Sequence, residues 1–141
     1  MAKIQHQFVV SAPAENVFRA FCTPEGLNSW WTLQSAGSPV KGTLYTFFFG
    51  SEYDWRASVI RVQPNRALTW QMTMAMEDWM PTRVGFRLRE NNGKTTVYFF
   101  HEGWQKANEH FRITNFCWGR LLAGLQNFVE TGAVVPFEKR N

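Results

Sequence analysis

Between residues 42 and 102 apolar and polar side chains alternate, and beyond residue 108 the period lengthens to three or four. Alternation places successive side chains on opposite faces of a strand, whereas apolar residues 100° apart line one face of a helix. The first region predicts five strands, about 42 to 49, 54 to 62, 66 to 74, 82 to 90 and 94 to 102. They are separated by the turn-forming stretches GSEYD, QPNR, EDWMP and ENNGK. The second predicts one long helix with Phe111, Trp118, Leu121, Leu122, Leu125, Phe128 and Val129 on its apolar side, stopped at Gly132. At 1.5 Å per residue, a helix of about 24 residues is roughly 36 Å long, enough to cross a whole sheet.

The start of the chain completes the order. IQHQFVV alternates as a strand; Val17, Phe18 and Phe21 then take helical spacing behind Pro13, and PEGLNSWW reads as a second short helix with Thr23 as its cap. SAGSPVKG is a loop by composition. An antiparallel meander closed by a long helix is an α+β fold, and 141 residues suit one domain over 1–141. Aromatics make up 16% of the chain, far above what a disordered segment carries. MAKIQHQFVV has no apolar run or cleavage site of a leader, and no stretch approaches the 18 apolar residues of a membrane span. A soluble, cytoplasmic protein without membrane insertion is expected.

Parity selects the inward face. Arg83, Arg87 and Arg89 alternate with Val84, Phe86 and Leu88, so the arginines face solvent. By the same rule Leu68, Trp70 and Met72 face inward on their strand, and Val97, Phe99 and His101 on theirs. Tyr98 and Phe100 then point outward, and Tyr45, Phe47 and Phe49 are read the same way, unless a bulge near 47 to 49 turns them toward the interior. Several outward aromatics predict a covered patch, most simply a homodimer interface through Tyr98 and Phe100.

Catalytic and metal motifs are incomplete. HEGWQ has Gln105 where a zinc-binding H-E-x-x-H needs its second histidine, and GSPVKGT has Thr43 where a phosphate loop needs lysine. Cys22 and Cys117 lack metal spacing and read as reduced, buried thiols. No metal or cofactor is expected. The net charge of +4 is spread over fifteen Lys and Arg without a tract, which gives no nucleic-acid signature.

Five stretches carry a resemblance: VVSAPAENVFRAFCTPEGLNSWW, VKGTLYTF, RALTWQM, TTVYFFHEGW and CWGRLLAGLQNFVETG. Their order and spacing over residues 4–132 resemble the family related to the activator of the heat-shock protein 90 ATPase, within the START-like (SRPBCC) superfamily; 133–141 is left as a tail. The resemblance implies a helix-grip fold, a curved antiparallel sheet of six or seven strands wrapped around the C-terminal helix, with a cavity between them. It implies a non-enzymatic carrier or sensor of a hydrophobic small molecule. The expected ligand-binding residues are Trp70, Met72, Phe86, Leu88, Val97, Phe99 and His101 from the sheet, with Thr114, Asn115, Trp118, Leu122 and Leu125 from the helix. Thr114 and Asn115 would be polar handles at the mouth, with Tyr53 and Trp79 on the rim. The alternatives are a cyclase-like cavity enzyme moving a proton through His101 or Tyr98, and a co-chaperone-like protein-interaction module.

Overall fold

The computed structural model describes residues 2–140. Seven antiparallel strands form one curved sheet in the order β1-β7-β6-β5-β4-β3-β2. They are β1 (Ala2–Val10), β2 (Gln34–Ala36), β3 (Leu44–Phe48), β4 (Asp54–Gln63), β5 (Ala67–Met74), β6 (Arg83–Asn91) and β7 (Lys94–Trp104). Helices α1 (Ala14–Cys22) and α2 (Pro24–Trp30) follow β1, and α3 (Glu109–Thr131) packs across the sheet. This is the helix-grip architecture. The predicted loop contains one element that composition hides: the short edge strand β2, paired with Thr46, Phe47 and Phe48 of β3.

Local chemistry sets the helix ends. Thr23 Oγ1 accepts from Gly26 N at 3.0 Å, with Pro24 at the first helical position of α2. Asn108 Oδ1 accepts from Phe111 N at 2.9 Å to start α3, and Gly132, at φ 81°, ends it in the left-handed conformation that a side chain disfavours. The start of α1 is capped from across the sheet, where Glu90 Oε1 accepts from Ala14 N at 2.7 Å. Gly26 lets α1 and α2 touch: a Cβ there would lie 2.6 Å from the Ala20 Cα.

The core is the predicted inward face. Leu68, Trp70 and Met72, Val84, Phe86 and Leu88, and Val97, Phe99 and His101 are all buried beneath Trp118, Leu122 and Leu125. Three hydrogen bonds fasten α3 to the first strand and its exit. Gln126 Nε2 donates to Val9 O (2.6 Å), Ser11 N to Glu130 Oε2 (2.8 Å), and His6 Nε2 to Asn115 Oδ1 (3.0 Å).

Two sequence expectations need correction. Tyr45 and Phe47 are fully buried, not outward, and Phe49 packs on Trp31 and Trp55. No bulge is responsible, because β3 keeps an unbroken register against β4; the register shifts lie in the β4–β5 pairing instead. Residues 44 to 49 are apolar on both parities apart from Thr46, so alternation alone could not orient the strand.

Tyr98 and Phe100 do point away from α3, but they are not a bare apolar patch. Lys3 Nζ lies 5.7 Å from the Phe100 ring centroid and the Arg87 guanidinium 5.0 Å from that of Tyr98. Phe100 also lies over Gly85, its cross-strand partner, where a Cβ would come within 2.6 Å of the ring. The bulk on both faces of β7 thus has two jobs: Val97 and Phe99 fill the core, and Phe100 covers a glycine gap in β6.

Candidate functional site

At one end of the molecule the sheet and α3 diverge, leaving a cleft of about 440 Å³. Its sheet-side wall is Phe49 at the end of β3, Tyr53 in the turn and Trp55 in β4. A single 3-10 turn, Glu77–Trp79, inserts Trp79 from the β5–β6 connection, and Trp31 closes the floor from the end of α2. From α3 come His110, Ile113, Thr114, Cys117, Trp118 and Leu121, one side of a helix at three- and four-residue intervals. The last wall is the tail, through Phe137 and Arg140.

The aromatic walls hold one another in place. Trp31 lies with its centroid 5.1 Å from Trp118 and 5.5 Å from Phe49, and Trp55 lies 4.6 Å from Trp79. Trp79 Nε1 is buried without a hydrogen-bond partner among the described residues, as are Trp70 Nε1 and Trp104 Nε1. Each such donor costs about 1–3 kcal/mol. Cys117 is half-buried in the wall rather than enclosed in the core, whereas burial pushes the Cys22 thiol up to about 11.

Behind the cleft wall His101 is fully buried with both ring nitrogens occupied. Trp118 Nε1 donates to His101 Nδ1 at 3.1 Å, which puts the ring proton on Nε2; Nε2 then donates to Thr82 Oγ1 at 2.8 Å, and Thr82 donates to Trp79 O. Burial first, and the charge of His110 second, lower its pKa to about 3, so it is neutral at physiological pH. Both nitrogens of the neutral imidazole are thus engaged within the protein, and Tyr98, the other candidate for proton transfer, lies on the opposite face of the sheet.

The predicted binding residues therefore divide. Thr114 and Trp118 line the cleft. Trp70, Met72, Phe86, Leu88, Val97, Phe99, Leu122 and Leu125 fill the core where sheet and helix are in contact, and His101 lies between core and cleft wall. Asn115 is exposed and tied to His6, on the β1 side of α3. Tyr53 and Trp79 both border the cleft, Trp79 as a buried wall rather than a mobile rim. Sequence reasoning missed Trp31, Trp55 and Arg140, and reached Phe49 only through the alternative of a bulge. The Trp pair at the end of α2 was a usable signal; nothing in the tail's composition marked Arg140.

The two ends of the cleft differ in charge. His110 Nδ1 lies 3.0 Å from Asp78 Oδ2 near the start of α3. Arg140 is buried at the Leu121 end, about 16 Å further along the helix by its rise per residue. No group of three or more His, Cys, Asp or Glu among the described residues is placed to hold a metal ion, and no helix of theirs is long and apolar enough to cross a membrane.

This geometry has known counterparts. Among curated proteins none matches the chain. The solution structure of the Aha1 dimer from Colwellia psychrerythraea is 30% identical, covers 94% of this chain and 98% of its own, and superposes with a TM-score of 0.84. A Staphylococcus saprophyticus protein (19% identity, 95% and 96% coverage, TM-score 0.80) and one from Mesorhizobium loti (17%, 94% and 100%, 0.82) share the fold. The family profile described as activator of Hsp90 ATPase homolog 1-like protein matches residues 11–130. With that match over most of its length and a 30% identical relative covered almost end to end, the chain belongs to the family of activator of Hsp90 ATPase homolog 1-like proteins.

Proposed function

We propose that the protein binds a hydrophobic small molecule in the cleft between the open end of the sheet and the first half of α3, as a carrier or sensor rather than a catalyst. The observation that carries this reading is a cleft of about 440 Å³ walled by Trp31, Phe49, Trp55, Trp79 and Trp118. It is within the volume range of small-molecule sites and, like them, mainly apolar with a few polar groups. The site is thus displaced from the centre of the sheet toward its open end, and it keeps Thr114 and Trp118 from the residues expected by sequence.

The neutral fluorophore N-phenyl-1-naphthylamine tests it. Saturable one-to-one binding is expected, with quenching of tryptophan emission because four of the seven tryptophans border the cleft. Cys117→Trp, which adds an indole to open space, should weaken binding at least tenfold while leaving the fold intact. Non-saturating uptake, or equal binding by C117W, would remove the cleft as the site.

The Colwellia psychrerythraea relative is a dimer, which supports self-association of this chain too, through the sheet face bearing Tyr98 and Phe100. A two-fold contact there brings Lys3, Arg61, Arg83 and Arg87 toward their own copies, with Glu102 as the acidic group in the same groove. Repulsion between exposed charges is screened within roughly 10 Å at 0.1 M salt, so association should strengthen as salt rises. Light scattering at low and high salt checks this: a monomer at both excludes the dimer.

A further inference from the structure

The cleft has one cation in its wall, and its surroundings are unusual. The tail folds back after α3, and Arg140 is only 8% exposed. Its Nε donates to Val135 O at 2.9 Å, Nη1 to Thr32 O at 3.1 Å and Nη2 to Asn28 O at 2.9 Å. These bonds hold the guanidinium plane against the C-terminal end of α2, where carbonyls left without helical partners favour a positive charge. Three of its five N–H donors are used, which leaves one on each Nη.

Carbonyl dipoles orient a guanidinium without neutralising it. No carboxylate of the described residues forms an ion pair with Arg140. Glu138 is the nearby acid whose charge it feels, but burial dominates and lowers its pKa from the ordinary value. A buried cation is normally matched by a paired anion, because uncompensated charge away from water is costly. Here the guanidinium lies 5.6 Å from the Phe137 ring centroid, and its remaining surroundings are the cleft and a smaller basic groove beyond the tail that holds Arg120 and Lys139. The Asp78–His110 pair sits at the other end of the cleft, so an anion is favoured at the Arg140 end only.

We propose that the ligand is an amphipathic anion, an aromatic or aliphatic carboxylate or sulfonate. Its charged oxygens accept hydrogen bonds from the two Nη groups of Arg140 while its apolar body lies between Trp31, Trp79 and Trp118. The inference rests on the cleft being the binding site and adds the charge and orientation of what it holds. The carbonyl contacts fix the guanidinium before binding, so the site is preorganised for a planar two-oxygen head group.

Two nearly isosteric fluorophores separate the two readings: neutral N-phenyl-1-naphthylamine and 8-anilino-1-naphthalenesulfonate, which adds the anion. The wild-type protein should prefer the sulfonate by roughly 10- to 100-fold, the range that charge-assisted hydrogen bonds supply. Arg140→Met should bring that ratio to within about threefold of unity, whatever the loss of its tail contacts does to the affinity for the neutral probe. Arg87→Met, which removes the same charge from the outer sheet face, should leave the ratio intact, and C117W should lose both probes. On wild-type protein alone, the Arg140 Nε–H resonance should shift on adding the sulfonate and not on adding the neutral probe. Equal wild-type affinities, an unmoved Arg140 resonance, or a preference that survives R140M would overturn the inference and leave the apolar cleft standing. If neither probe binds, the cleft reading falls and this one with it.

Discussion

Trp118→Ala should destabilise the protein by about 3–5 kcal/mol, the range for removing a fully buried large aromatic. Trp118 is 1% exposed, its centroid lies 4.6 Å from Phe99 and 5.1 Å from Trp31, and its indole N–H is the donor to His101 Nδ1. The truncation removes the contact that joins helix, sheet and α2, and extends the cleft toward His101. For a chain of this size the loss corresponds to a fall in Tm of roughly 10–20 °C. Trp118→Phe isolates the hydrogen bond: most of the ring stays, the donor goes, and His101 Nδ1 is left unpaired at a cost of about 1–3 kcal/mol. Urea melts of both variants check the partition. If W118F is as damaging as W118A, the bond and not the packing dominates; if W118A costs under about 1 kcal/mol, Trp118 is not the keystone described above.

The second large effect is a dependence on pH. His101 stays neutral in the fold down to a pKa of about 3, while in the unfolded chain it protonates near the ordinary value of 6.5. Between those values the unfolded state binds a proton that the folded state refuses. The contribution is therefore complete above pH 6.5 and is lost as pH falls, at about 1.4 kcal/mol per unit, or close to 3 kcal/mol by pH 4.5. Carboxylates titrate in the same window, so the comparison must be with His101→Gln, whose amide can replace both hydrogen bonds without titrating. Wild-type stability should fall more steeply than that of H101Q between pH 6.5 and 4.5. Parallel curves would mean that His101 takes up a proton in the folded state.

The pH effect comes from a residue whose role the sequence left open. His101 shares the inward parity of Val97 and Phe99, a position that suits a ligand contact, a proton carrier or a hydrogen-bonded core group equally well. What distinguishes them is the identity of its partners, Thr82 and Trp118, 19 and 17 residues away along the chain. A pattern read from one segment does not report which groups from others arrive beside it.

The order of elements apart from β2, the long closing helix, the burial of Val84, Phe86 and Leu88 beneath exposed arginines, and the family were all legible because they follow from periodicity and local motifs. Periodicity gives the side of the sheet or helix on which a residue lies, which is why Trp70, Phe86, Leu122 and Leu125 were placed inside. It does not give the distance to the opposing layer, and that distance separates filled core from open cleft. Where sheet and α3 touch, the inward residues pack on one another; where they diverge, Trp31, Phe49, Trp55 and Trp79 from separated segments surround space. The reversed orientation of Tyr45 and Phe47 was hidden by a stretch apolar on both faces. Arg140 was hidden more deeply, since its role depends on carbonyls at Thr32 and Asn28, 108 and 112 residues away, to which only the folded chain brings it.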